Sequence, residues 1–483
     1  MNSSDQTGGG PPDASRRRFV QMIGRATAGL VMAPYIRGGS VFGYRHTLDG
    51  SLPFKVAITG TSNTPADTYD PASVKAKVQY LFEQLGGISD IVTAGAKVVI
   101  KINLTGGSGN ASSQMLKGVP ITEAMWTHPA VLQAVGQLLI DAGVKGSDIT
   151  IVDSLWDTGS TAPFGANDAF GYTAVVKALG CNVIDLNNAA PYASFASLST
   201  GSSPFHSSSL TMNQILKDAT VYISIPKLKQ HAEAGLTSAL KNQVGTVPKS
   251  LYTIPSNTSR RQALHNPTGG ASNAYLPQSI CDLNAARPVH IAVIDAIKNS
   301  RGGEGVWIPT FVPSASHALL AGKEPVSTDS IGAVLIGLNP QASTLPLPDG
   351  TSTCTNYLDL MHSRGTGSNQ LADISVVGDG AGLVTGVQNG ATVRQPDAYM
   401  LLPNYPNPFN PSTRITFFMP RAGNATVRVY SLTGEEIQTL VHGEVPAGRH
   451  ELYWSADNLA SGVYVCRMEA QGFSAAIRMM HVK

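Results

Sequence analysis

From Phe54 onward, short runs rich in valine and isoleucine alternate with longer segments whose apolar residues recur every three or four positions. Runs of four or five such residues suit strands buried on both faces, and the longer period suits helices lying across them. The alternation therefore predicts an α/β fold, a mostly parallel sheet flanked by helices. The expected strands are Lys55 to Thr59, Lys97 to Ile102, Ile149 to Asp153, Asn182 to Leu186, Val221 to Ile225, His290 to Ile294, Ala318 to Ala321 and Ile374 to Val377. The expected helices are Ser73 to Leu85, Pro129 to Ala142, Ala169 to Leu179, Thr211 to Leu216, Asp329 to Ile336 and Thr355 to Ser363. A serine-rich stretch from Ala193 to Ser209 and a polar segment from Thr246 to Gln278 break the pattern. Long loops inside a domain serve as lids or binding loops, or are flexible insertions, and the second segment is read as a lid.

The two ends follow different rules. After residue 400, strands alternate apolar and polar residues between Pro/Gly turns: Thr413 to Phe418, Ala425 to Ser431, His450 to Ser455 and Gly462 to Ala470. This predicts a small all-β sandwich of immunoglobulin-like type. Near the start, Ser15-Arg16-Arg17-Arg18-Phe19-Val20-Gln21 precedes a modest apolar stretch from Met22 to Pro34. Paired arginines before such a stretch have the layout of a twin-arginine export signal. The stretch is shorter than the roughly 20 apolar residues of a membrane span, and Arg25 interrupts it, so no transmembrane helix is expected. The alternative is a basic amphipathic surface helix, and no clear Ala-x-Ala cleavage site follows. The domain plan is thus a signal segment at 1–43, an α/β domain at 54–380, a linker at 381–400 and a C-terminal sandwich at 401–483.

Composition narrows the functional classes. A net charge of +2 with only 14% charged residues lacks the basic footprint of a nucleic-acid binder. Cys181, Cys281, Cys354 and Cys466 stand apart, without the Cys-x-x-Cys spacing of zinc or iron–sulfur sites. No disulfide pairing is readable from them, and small buried residues are the plain alternative. The twin-arginine route carries proteins already folded, often with a cofactor in place. A cofactor is therefore expected without being identified, a divalent metal being one candidate.

In open α/β sheets ligands bind beyond the carboxyl ends of the strands, so residues just after each apolar run are informative. Here these are Lys101 and Asn103, then Asp153, then the stretch from Lys227 through Lys229 to His231, then Asp295. The densest polar cluster runs from Lys227 to Gly245 and includes Lys229, His231, Lys241 and Asn242. Cations and amides near a helix start suit an anionic group, and His231 is a candidate general base or metal ligand. A solvated helix face is the plain alternative. Arg301-Gly302-Gly303-Glu304-Gly305 follows Asp295, and Glu304 can join that aspartate as an acid pair for a hard cation or for proton transfer; a simple glycine turn is the alternative. Thr105-Gly106-Gly107-Ser108-Gly109 has neither P-loop nor dinucleotide-binding spacing.

Two resemblances add to this reading. Leu402 to Pro411 (Leu-Pro-Asn-Tyr-Pro-Asn-Pro-Phe-Asn-Pro), Val429 to Gly434, Pro446 to His450 and Leu459 to Tyr464 look like the type IX (Por) secretion sorting domain, which implies passage through the type IX export machinery. The central region resembles the domain-of-unknown-function family DUF362. The matching features are Ile100-Lys101-Ile102-Asn103-Leu104, Thr127-His128-Pro129, Asp153-Ser154, Ile225 to His231, Ala239-Leu240-Lys241-Asn242, Val293-Ile294-Asp295, Gly303-Glu304-Gly305 and Glu324 to Asp329. The chain departs from that pattern at Gln230, commonly Thr, and at Glu324, commonly Asp. Some relatives carry ferredoxin-like cysteine clusters, and this chain has no such motif. The resemblance directs attention to Lys101, Asn103, Lys229, His231, Lys241, Asn242, Asp295, Glu304 and Asp329.

The resulting expectation is an exported protein, periplasmic in transit and then at the cell surface or beyond, whose partners are the twin-arginine and type IX machineries. Its enzyme-like domain takes a small anionic ligand. Lys101, Asn103, Lys229 and Asn242 bind it, His231 and Lys241 are the catalytic candidates, and Asp295, Glu304 and Asp329 orient it or hold a divalent metal. The competing readings are a non-catalytic surface binding module and a redox accessory protein.

Overall fold

The computed structural model describes residues 54–384 other than 108–114, 117, 158 and 269–272, and residues 399–482 other than 402–403, 405–408, 420 and 446–447. The twin-arginine segment and most of the expected linker lie outside the described residues. The described residues group into two compact units, one within 1–389 and one within 390–483.

Ten strands of the first unit join in one sheet. In chain order they are β1 (Phe54–Gly60), β2 (Val98–Lys101), β3 (Ile149–Asp153), β4 (Asn182–Asp185), β5 (Val221–Ser224), β6 (Lys227–His231), β7 (Gly235–Thr237), β8 (Ile291–Arg301), β9 (Val312–Gly322) and β10 (Ile374–Val377). The order across the sheet is β10-β1-β9-β8-β5-β2-β3-β4, with β6 paired to β8 and to β7. All eight expected strands lie on that path. Neighbours are parallel except at β9, which runs antiparallel to both β1 and β8. The reversal has a simple cause: the link between β8 and β9 is too short for a crossover, so the two form a hairpin.

The principal helices are α1 (Pro71–Gln84), α2 (Pro129–Asp141), α3 (Tyr172–Leu179), α4 (Tyr275–Ala286), α5 (Pro325–Leu335) and α6 (Tyr357–Ser363). Three begin with the same device, an acceptor side chain followed by proline. Asp70 caps Ser73 N–H, His128 Nδ1 caps Ala130 N–H, and Glu324 caps the N–H groups of Val326 and Ser327. A capping acceptor satisfies amides left free at the first turn, and proline there sacrifices no hydrogen bond.

Alternation along the central strands sorts side chains onto two faces. Ile100, Ile151 and Ile223 pack with Val74 and Val78 of α1, with α2, and with Val175 of α3. On the opposite face, Val99, Val152 and Tyr222 meet Leu283 of α4, while Ile294 and Leu320 meet Leu276, Ile280 and helices α5 and α6. Both faces are thus covered, which is why these strands read as unbroken apolar runs.

Three expectations are corrected. Thr211 to Leu216 is not a helix: Ser209–Met212 pairs antiparallel with Ala196–Ser199, and only Ile215–Asp218 turns helically. Leu210 and Met212 are both buried, so the apolar period there is two. The polar cluster after Lys227, expected near a helix start, instead forms the β6–β7 hairpin, whose second strand opens on Gly235 at φ +70, followed by the 3-10 segment Lys241–Thr246. The polar segment from Thr246 to Gln278 is not structureless. It holds two short helical turns and the start of α4, and buries Val247, Arg261, Gln262 and Leu264.

The second unit is all-β and antiparallel. Its strands are β11 (Met400–Leu401), β12 (Ser412–Met419), β13 (Gly423–Ser431), β14 (Glu436–Val445), β15 (Gly448–Ser455), β16 (Gly462–Ala470) and β17 (Phe473–His481). They form a β11-β12-β15 sheet and a β14-β13-β16-β17 sheet. Ile415, Phe417 and Trp454 of the first share one core with Val427, Val429, Cys466 and Met468 of the second. The sequence reading found four of these seven strands and missed the two-residue β11 as well as β14 and β17. Most β14 residues are at least partly exposed, which leaves little apolar alternation to read.

Ile223 is buried at the middle of the ten-stranded sheet. Ile223→Ala is expected to lower unfolding free energy by about 2–5 kcal/mol, measured by denaturant titration, because the removed methylenes leave a cavity.

Candidate functional site

The chain leaves β2 for β3 and β4 on one side, then returns as β5 on the other. A reversal of strand order opens a crevice at the carboxyl ends, the usual ligand position in such sheets. A cavity of about 340 Å³ occurs there, lined by Lys101 at the end of β2, Asp153 at the end of β3, and His231 at the end of β6. A larger groove of about 810 Å³ lies beside β4, but its Lys97 and Asp148 are paired with each other and no candidate residue reaches it. The smaller cavity is therefore the candidate site.

The base of this cavity is a polar lattice. Lys101, almost fully buried, pairs with Asp153 at 2.8 Å and donates to Ile102 O at 2.6 Å and Asn242 Oδ1 at 3.2 Å. Asn242 Oδ1 also accepts from Asn103 Nδ2 at 3.1 Å, while Asn242 Nδ2 donates to Lys101 O and Ser224 Oγ. Asn103 Oδ1 in turn accepts from Lys229 Nζ at 2.8 Å, and that ammonium also donates to Met125 O. Lys229 has no carboxylate partner among the described residues. Burial, reinforced by the nearby Lys241, holds its pKa well below the ordinary lysine value. Asn103 and Asn242 are thus largely committed to holding lysines, a positioning role rather than the direct ligand contact expected from sequence.

His231 is nearly buried, and its Nδ1 accepts the N–H groups of Glu233 at 3.0 Å and Ala234 at 3.2 Å. Burial and the neighbouring Lys241 push its pKa well down, so the ring is neutral. With Nδ1 committed as an acceptor, the proton resides on Nε2, which faces Glu304 Oε1 at 3.8 Å. In this state the imidazole is a donor toward the cavity. The expectation of a general base is corrected accordingly: accepting a proton at Nε2 requires displacing the one already there. Metal ligation fits no better, since a ligating histidine normally donates from its other nitrogen, and here that nitrogen accepts.

The three acidic candidates do not come together. Asp295 is fully buried, pairs with Lys227 at 2.6 Å, and accepts from Tyr69 Oη at 2.9 Å and His128 N at 3.0 Å. Asp329 is also fully buried and accepts the N–H groups of Ala239 and Leu240; burial raises its pKa to about 7. Only Glu304 reaches the cavity, held by Ala232 N at 3.0 Å and Trp307 Nε1 at 3.3 Å. No group of three or more His, Cys, Asp or Glu side chains suited to a metal occurs among the described residues. The residues expected to hold a divalent cation therefore do not fit one.

Lys241 differs from its neighbours. It faces the cavity, and its Nζ makes no hydrogen bond or ion pair with any described residue. Burial lowers its pKa to about 8, opposed by the nearby Glu304 and Glu233. Sequence reasoning missed several other lining residues. Arg260 pairs with Glu233, and Arg261 donates to Val247 O and Asn187 Oδ1, with its pKa lowered by burial to about 10. His265 is held neutral, near 4, mainly by burial. Trp156 and Trp307 are exposed at the rim. The signal available was the Arg260-Arg261 pair within the polar segment. The four cysteines are single, buried thiols, each raised by burial to about 11 or 12.

Residues 98–334, which hold every candidate residue, match the family described as Domain of unknown function (DUF362), and residues 404–481 match the Secretion system C-terminal sorting domain. The chain contains both domains. The sorting domain points to the type IX secretion system and to export to the cell surface or beyond. A thylakoid-associated protein of Synechocystis sp. is 31% identical over 183 residues, 38% of this chain and 49% of that protein. The chain thus spans about half the length of this curated relative. Among solved structures, dimeric latent PorU of Porphyromonas gingivalis is 21% identical over 19% of this chain and 10% of its own, with a TM-score of 0.15. PorZ, a surface component of the type-IX secretion system of the same organism, is 20% identical over 20% of this chain and 13% of its own, with a TM-score of 0.13. Scores this low carry no structural argument. No described helix is long and apolar enough to cross a membrane.

Asp295 is a structural partner of Lys227. Asp295→Ala is expected to cost about 3–5 kcal/mol in unfolding free energy, because it strands a buried ammonium. A variant that kept wild-type stability in denaturant titration would contradict this assignment.

Proposed function

We propose that the first unit is an exported, enzyme-like domain that binds a small anion in the cavity at the ends of β2, β3 and β6. The balance of charge carries this reading. Four lysine and arginine side chains line the cavity against three carboxylates. Lys101 with Asp153 and Arg260 with Glu233 neutralise one another, leaving Lys241 and Arg261 opposite Glu304. Lys229 adds a further cation immediately behind Asn103. Lysines 101, 229 and 241 and Arg261 all have pKa values lowered by burial, so the charged form of each, disfavoured by lost hydration, gains from a neighbouring anion. The Nε2–H of His231 adds a directed donor.

The finer account of delivery belongs to the same proposal. Arg16-Arg17 and the apolar stretch after them support export through the twin-arginine route and transit of the periplasm. The two antiparallel sheets of the second unit, sharing one core, support an immunoglobulin-like sandwich. A binding role without turnover is favoured by one observation, the exposed indoles of Trp156 and Trp307 at the rim, which offer flat surfaces for recognition.

Binding is tested by calorimetry with phosphate, sulfate and small carboxylates. The anion stabilises charged Lys241, whose pKa in the free protein is about 8, so affinity is expected to fall as pH rises through that value. Lys241→Met should weaken binding and remove this inflection while leaving the melting temperature nearly unchanged. Failure of every anion to bind would defeat the reading.

A further inference from the structure

We propose that Lys241 is a nucleophile that captures a small oxo acid as an imine. The inference rests on the anion-binding reading above and names the class of ligand for the same cavity. Among the cations lining this cavity, Lys101, Arg260 and Arg261 each have an acceptor within the protein, as does Lys229 behind it. The amine of Lys241 has none among the described residues, although it sits in a cavity large enough for a small molecule. An amine meant only to hold the fold together would be expected to engage one of the three carboxylates that share the cavity. A lysine desolvated among other cations is activated for addition to carbonyl groups. The pKa of about 8 leaves a usable fraction of neutral amine near neutral pH.

The surroundings supply the rest of the chemistry. Arg261 provides a cation for the carboxylate of the oxo acid. Addition forms a bond from Lys241 Nζ to the carbonyl carbon, and the carbonyl π electrons move to oxygen, which takes up the proton that the nitrogen gives up. The carboxylate of Glu304, in the same cavity, relays that proton from nitrogen to oxygen. The carbinolamine then breaks its C–O bond and expels water, the departing hydroxyl taking the second nitrogen proton by way of the Glu304 carboxylic acid. His231 Nε2–H, 3.8 Å from Glu304, keeps its proton and serves as a hydrogen-bond donor to the oxygen as it leaves. One amine and one carbonyl give one imine and one water, with no oxidant or reductant.

Lys229 does not serve in this way. Its nitrogen is buried behind Asn103 and donates to two acceptors.

The test is reductive trapping on the full chain. The protein is incubated with pyruvate or 2-oxoglutarate at a pH of about 8 together with cyanoborohydride, then examined by intact mass and peptide mapping. A single adduct on the peptide containing Lys241 is expected, and its loss in Lys241→Arg, which keeps the cation but lacks the amine nucleophile. His231→Ala, which removes the Nε2–H donor, is expected to weaken binding of the oxo acid and to slow trapping even when the acid is saturating. Absence of an adduct, or adducts spread over surface lysines and unchanged in Lys241→Arg, would overturn the imine. If calorimetry still shows the same acids bound, the anion site stands without covalent capture. If neither these acids nor phosphate nor sulfate binds, both readings fall.

Discussion

Two buried ion pairs organise the carboxyl ends of the sheet. Lys101 and Asp153 join the ends of neighbouring strands β2 and β3, while Lys227 and Asp295 face each other in register across β6 and β8. Taking four charges from water is costly, and each pair offsets its loss only because its remaining donors and acceptors are also satisfied. Asp153 accepts the N–H groups of Leu104 and Ser154, and Asp295 accepts from Tyr69 and His128. These contacts tie the loops after β2 and β3, and the start of α2, to the strands. The cavity is shaped by that anchoring, since its walls are the same loops.

Against this anchored background, the groups left incompletely matched stand out. Lys229 is buried with neutral acceptors only, and Lys241, partly exposed to the cavity, has no acceptor among the described residues. Gly245 closes the floor at a point where a Cβ would approach Lys101 Nζ to 2.8 Å and Asp153 Oδ1 to 2.9 Å. The backbone is thereby brought against the ion pair, and Ser154 fixes it by donating to Gly245 O at 2.9 Å. Rigid polar floor and unmatched amine belong to one arrangement: the first makes the position of the second reproducible.

Much of the fold was legible because buried strands announce themselves as apolar runs, and all eight of the main runs were strands. What sequence could not show was direction and partnership. Ala318 to Ala321 looks like any parallel strand, and only its short link to β8 reverses it. Asp295 ends an apolar run just as Asp153 does, but Asp153 reaches the cavity while Asp295 is enclosed by Lys227, Tyr69 and His128. Lys101, Lys229 and Lys241 are indistinguishable by residue type, and their roles separate only through the acceptors that folding brings from Asp153, Asn103 and Met125. Arg261 escaped notice because nothing local marks a polar segment as buried.

The seat of Trp307 is built from distant parts of the chain. A Cβ at Gly106 would lie 2.1 Å from its ring, and one at Gly305 would lie 2.3 Å from it. Gly106 follows β2, whereas Gly305 and Trp307 share the tip of the β8–β9 hairpin. A side chain gained at either glycine displaces the indole; once the indole is gone Gly305 is released, whereas Gly106 keeps a backbone at φ +84 that favours glycine. Positions 305 and 307 should therefore drift together through the lineage, so that aligned sequences would reveal the rim of this cavity as a covarying pair beside a glycine held by its own backbone.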